Sequence, residues 1–120
     1  MKIQIEAQQL RFRIDEAELA ELLAGRTVDN TSTLPSGQGA LLVRHCVNLT
    51  NGHAACSCDS GHWQLLVPRG LVEEHARQLP RREGLRFTFD TGEGRADTMA
   101  LHVTLDIDVR DSARRRFLKE

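Results

Sequence analysis

The residues best able to do chemistry crowd into one stretch, Ala40 to Pro68 (ALLVRHCVNLTNGHAACSCDSGHWQLLVP). It holds Cys46, Cys56 and Cys58, the histidines His45, His53 and His62, and the only tryptophan, Trp63. Imidazole and thiolate together ligate zinc or copper, and a thiol beside a cation is a candidate nucleophile or redox centre. Which of these groups can act together depends on strand register. Asn51-Gly52 between two alternating runs is a strong hairpin signal, because a two-residue type I′ turn needs positive φ at both positions. With Thr50 facing His53, Leu49 pairs with Ala54, Val47 with Cys56 and His45 with Cys58. A second turn at Ser60-Gly61 sets Cys58 opposite Trp63, Cys56 opposite Leu65 and Ala54 opposite Val67.

Both turns predict one apolar face: Val43, His45, Val47, Leu49, Ala54, Cys56, Cys58, Trp63, Leu65 and Val67. Arg44, Cys46, Asn48, Ser57, Asp59, His62 and Gln64 face the other way. A slip of one residue would exchange the two sets, so the apolar contrast fixes the faces. On this register His45, Cys56 and Cys58 form the candidate zinc or copper site, with Cys46, His53 and His62 in reserve should the register differ. Against it, Cys-x-Cys lacks the spacer of the usual zinc knuckle and no fourth ligand shares the face. The competing reading makes Cys56 and Cys58 buried core thiols. A disulfide between them is disfavoured, because alternate residues of a strand lie roughly 6.5 to 7 Å apart at Cα. Cys46, beside Arg44 on the polar face, is the expected accessible and reactive thiol.

The rest of the chain must position this stretch. Its 120 residues, 40% hydrophobic and 28% charged, suit one domain with one core. A net charge of -1 gives no global footprint for nucleic acid or an anionic membrane. No apolar run reaches the roughly 20 residues of a membrane span. Three cysteines without a signal-like start fit a reducing, cytoplasmic setting. The expected partner is a protein or small molecule rather than nucleic acid or membrane, and a homo-oligomer is compatible with the sequence.

Met1 to Ala7 and Leu10 to Ile14 alternate and predict a hairpin with Ile5 on Phe12 and Ile3 on Ile14. Asp15 with Glu18 is capping-box-like, Leu19, Leu22 and Leu23 form a stripe, and Gly25 ends the helix. Val28 opens at most a short strand. Asp29 to Gly39, polar and carrying Pro35, reads as a long loop and a candidate working surface. Gly70 to Leu79 has helical spacing, with His75 beside its apolar stripe. Leu85 to Phe89 and Leu101 to Val109 alternate as strands around a loop from Thr91 to Asp97. His102, Asp106 and Asp108 fall on the wet side of the last strand, where alternating charges are ordinary. The expected architecture is α+β: a mostly antiparallel, curved sheet of about seven strands covered by two helices, in the order ββα(β)βββαββ. It occupies residues 1–110 and leaves residues 111–120 as a basic, frayed tail. No repeat of fixed period is evident.

The opening MKIQI, the following LRFRI, the acidic-capped DEAELAELLAG, the strand ending in Pro68 before a helix, and the final LHVTLDIDV resemble a family of small uncharacterised bacterial proteins. That family, a domain of unknown function, opens with an MKIRI-like strand and an LRLRL-like strand. The resemblance implies an α+β layout and carries no activity, cofactor or site residue, and the Cys/His-rich stretch lies outside its pattern. The chain also lacks a phosphate-cradling glycine loop, G-x-S-x-G, H-E-x-x-H and paired CxxC. The sequence therefore favours a non-catalytic binding or accessory module over an enzyme. A zinc or copper protein is the alternative, and a thiol-dependent redox protein centred on Cys46 is the third reading.

Overall fold

The structure is a computed structural model that describes residues 1–91 and 100–109. Alternation at the start produces β1 (Lys2–Glu6) and β2 (Gln9–Asp15), antiparallel, with Ile3 opposite Phe12 and Ile5 opposite Leu10. The turn forms at Ala7-Gln8, with Ala7 at φ 50°, rather than at Gln8-Gln9. This moves the pairing by two residues from the expected one, and an even displacement leaves every side chain on its face. Helix α1 (Glu16–Leu23) follows at once. Asp15 accepts from the Glu18 amide at 2.8 Å, and the Glu18 carboxylate accepts from the Asp15 amide at 3.1 Å. Such a cap contributes about 1 kcal/mol. Gly25, at φ +85°, ends the helix as expected.

The expected loop from Asp29 to Gly39 is instead mostly strand. β3 (Val28–Ser36) pairs antiparallel with β4 (Gly39–Thr50) along its whole length. Its polar, proline-bearing sequence is that of an edge strand, where serine, threonine and a proline face water without breaking an inner ladder. Then come β5 (Ala55–Asp59), β6 (His62–Pro68), helix α2 (Arg69–Arg77), β7 (Leu85–Asp90) and β8 (Ala100–Asp108). The loop expected from Thr91 to Asp97 lies, but for Thr91, outside the described residues, as does the tail beyond Val109.

The single curved sheet of about seven strands is corrected. Among the described residues, eight strands form two four-stranded sheets, ordered β1-β2-β8-β7 and β3-β4-β6-β5. Each joins two antiparallel hairpins through one parallel pair, β2 with β8 and β4 with β6. The α+β class and the two helices stand. We call the first sheet A and the second sheet B. Leu10, Phe12 and Ile14 of β2, Val103, Leu105 and Ile107 of β8, Val47 of β4, and Leu65 and Val67 of β6 share one core with Leu19, Leu22 and Val72 of the helices. Both helices touch strands of both sheets, which ties the sheets together.

The connectivity is duplicated. Hairpin, helix, hairpin (β1-β2-α1-β3-β4) recurs as β5-β6-α2-β7-β8, and the strand orders map onto each other under that exchange. Three elements even begin at one constant interval: Lys2 and Ala55, Gln9 and His62, Glu16 and Arg69. The buried positions match as well, with one telling difference. Leu22 of α1 corresponds to His75 of α2, and Val103 of β8 to His45 of β4, so each buried histidine occupies a place where the other half has an aliphatic side chain.

An added Cβ at Gly61 would lie 2.6 Å from the Leu42 carbonyl oxygen, and Gly61 is at φ +81°. Gly61→Ala is therefore expected to lower the unfolding free energy by about 2 kcal/mol, while Gly37→Ala, with open space around it, changes it by less than about 0.5 kcal/mol. Urea unfolding midpoints check the pair. Burial holds both His45 and His75 below the usual imidazole range, with Arg81 adding to the effect at His75 and Asp106 opposing it. The folded state thus binds fewer protons than the unfolded one. The stability this contributes is complete above the unfolded pKa of about 6.5 and is lost as pH falls through it towards the depressed folded values. His45→Val with His75→Leu should flatten the fall in unfolding midpoint between pH 7.5 and 5, and an unaltered slope would refute the assignment.

Candidate functional site

The parallel pairing of β4 with β6 rearranges the Cys/His-rich stretch. β5 lies on the far side of β6, so one level across sheet B reads His45, Trp63, Cys58. For the residues that lie in strands the face predicted is the face observed, and Cys58 opposite Trp63 and Cys56 opposite Leu65 are as expected, while Ala54 falls outside β5. The pairing of β4 with β5 is not. Neither Asn51 nor Gly52 has positive φ, and Thr50 Oγ1 instead accepts from the Gly52 amide at 3.1 Å. The type I′ turn is at Ser60-Gly61, with φ of 49° and 81°.

His45 and Cys58 are therefore two strand spacings apart, roughly 10 Å, and Trp63 stands between them. The His45 and Trp63 rings meet edge to face, with centroids 5.2 Å apart. The structure does not bring His45, Cys56 and Cys58 together. Of the reserve ligands, His53 lies exposed between β4 and β5 and His62 is on the opposite face. Among the described residues, no group of three His, Cys, Asp or Glu side chains is placed to hold a metal ion. His45 is 9% exposed, and its Nδ1 is buried without a hydrogen-bond partner.

The expected order of thiol exposure is reversed. Cys46 is 2% exposed, Cys56 is half-buried and Cys58 is exposed. β4 is an inner strand, so Cys46 is flanked by Asp29 of β3 and Gln64 of β6, whereas β5 is an edge strand open on one side. The Arg44 guanidinium reaches Asp29 at 2.6 Å, and His62 Nε2 lies 3.3 Å from Cys46 Sγ. Sequence reasoning left Cys46 without a histidine because it paired β4 with β5. The matching rows His45-Val47-Leu49 and Trp63-Leu65-Val67 were the signal for the parallel alternative that brings His62 across. Burial pushes the Cys46 thiol up, Arg44 partly offsets this and Asp29 adds to it, so the group is a neutral thiol rather than a primed thiolate. Burial and then Cys58 push Cys56 up to about 11, while burial and then Asp59 raise Cys58.

A second constellation lies on the outer face of sheet A. β2 buries Leu10, Phe12 and Ile14, so Arg11 and Arg13 point outward; β7 packs Leu85 and Phe87 inward and turns Arg86 out. Between them on β8 lies Asp106, whose side chain is 17% exposed. It meets Arg11 Nε at 3.0 Å and Arg13 at 3.9 Å. The connection from α2 to β7 adds Arg81 and Arg82. The result is a cleft of about 830 Å³ lined by five arginines against the carboxylates of Glu83, Asp106 and Asp108. Arg82 and Arg86 make no ion pair among the described residues. The related runs LRFRI and LRF hinted at this in the sequence, but only the order β2-β8-β7 sets them on one face.

Alkylation of the native protein should modify Cys58 first, Cys56 more slowly and Cys46 last, as read by mass spectrometry of timed digests. Fast labelling of Cys46 with Cys58 protected would contradict the strand order of sheet B.

No protein-family model and no curated protein matches this chain, so its candidate sites stand on their own geometry.

Proposed function

We propose that the protein is a non-catalytic binding module whose working surface is the outer face of sheet A, where it recognises an anionic group. The observation that carries this reading is the convergence of Arg11, Arg13, Arg81, Arg82 and Arg86 on one cleft around Asp106. Guanidinium is weakly hydrated, permanently charged and forked, which suits it to carboxylate or phosphate oxygens. Asp106 neutralises part of this charge and orients Arg11, leaving Arg82 and Arg86 to meet a ligand. The local excess stands out because the whole chain carries a formal charge of -1.

A second reading, thiol chemistry at Cys46, has the His62 contact in its favour. Its test is loss of thiol reactivity on His62→Ala, and burial of the sulfur argues against it. The cleft is tested by chromatography on a sulfonate resin at pH 8 and low salt. Arg86→Glu should elute clearly earlier than the parent, whereas Arg26→Glu, the same change of charge made in an exposed pair with Glu21, should shift much less. Equal shifts would mean that only net charge matters and would remove the cleft as the working surface.

A further inference from the structure

We infer that the anion taken by the arginine cleft is a chain of linked phosphates on a small molecule, of the class of nucleoside di- and triphosphates or inorganic tripolyphosphate. The inference rests on the reading of sheet A as an anion-binding face and adds the class of ligand. Its first ground is spacing. Arg11 and Arg13 stand on β2 and Arg86 on β7, with β8 between them, so the two sets rise from backbones roughly 10 Å apart. Arg11 and Arg13 are also held towards Asp106, which limits how far they can swing across the cleft. A single phosphate satisfies one set. Linked phosphates can satisfy both, each with a bidentate fork.

Size is the second ground. A cleft of about 830 Å³ exceeds what one oxyanion fills and falls within the roughly 300 to 1,000 Å³ of small-molecule sites. The third is the margin of the face. Register places Glu6 and Asp90 outward at the two ends of the same sheet face, away from the arginines, with Lys2 beside Arg13 as the cation nearest that margin. Carboxylates there, on a chain of net charge -1, oppose a long polyanion that must cross the margin but not a short one that fits inside it.

The test is calorimetric titration of the full chain, at fixed ionic strength, with phosphate, pyrophosphate, tripolyphosphate, ATP, citrate and a short DNA duplex. Affinity is expected to rise by about tenfold or more from phosphate to tripolyphosphate and to fall by about tenfold or more in Arg86→Glu. Arg86→Lys should lose less, since it keeps the charge but not the fork. Arg86 is exposed and unpaired among the described residues, and an unchanged unfolding midpoint shows that the variant folds. ATP binding as tightly as tripolyphosphate supports recognition of the phosphates alone, and tighter ATP binding supports a nucleotide. Citrate binding as well as tripolyphosphate would overturn the phosphate class and leave the anion face standing. A duplex binding more tightly would overturn it in favour of a polymer, and no heat with any anion would remove both the class and the face.

Discussion

Everything in this fold hangs on two parallel contacts, each between the inner strands of two hairpins. Phe12 lies beside Leu105 in one, and Val47 beside Leu65 in the other; all four side chains are fully buried. Full burial of such a side chain contributes roughly 1.5 to 3 kcal/mol, so the two pairs lock register far more firmly than any surface contact. Once register is locked, the outward residues have no choice of neighbours. Arg13 must lie beside Asp106, and Cys46 beside Gln64. Both candidate sites are thus by-products of core packing, in that the pairs that exclude water on one face fix which polar groups meet on the other.

The duplicated connectivity separates what the core requires from what the outer faces are free to vary. At matched outward positions sheet A has Arg11, Arg13, Thr104 and Asp106 where sheet B has Gln64, Leu66, Cys46 and Asn48. The buried positions stay apolar except at His45 and His75. One scaffold thus carries a charged face and a nearly neutral one with no change in register. Neither Arg82 nor Arg86 is used in an ion pair among the described residues, so their charge is not accounted for by the ion pairs of the fold.

Much of this was legible in the sequence, and what was not has a physical cause. Period-two alternation reports faces, so the sides of sheet B, the capping box of α1 and the helices themselves could be read directly. Alternation does not report which strand is the neighbour. A parallel partner and an antiparallel one bury the same residues, and Asn51-Gly52 was a stronger turn signal than Ser60-Gly61 although only the latter adopts positive φ at both positions. Edge strand β3 was hidden because an edge that faces water has the composition of a loop. The metal site built from His45, Cys56 and Cys58 depended on adjacency, the one property that alternation leaves open. The arginine cleft was invisible for the same reason, since its parts come from β2, β7 and the connection before β7.

That connection is one of the places where the two halves of the chain differ in length. Between α1 and β3 the first half needs only residues 24–27, whereas between α2 and β7 the second half spends residues 78–84. The longer segment carries Arg81 and Arg82 and ends at Gly84, where an added Cβ would lie 2.5 Å from the Leu105 carbonyl oxygen. A glycine pressed so closely on β8 lets the segment lie down beside Asp106 instead of bowing away from the sheet. Arg81 donates to Gln78 at the end of α2, which anchors the other end of the same segment. The residues by which this connection exceeds its counterpart in the first half therefore also wall the cleft. A solvent-exposed connection tolerates extra length at little cost in stability, so the physical effect of this one is best sought in what its arginines are brought close enough to bind.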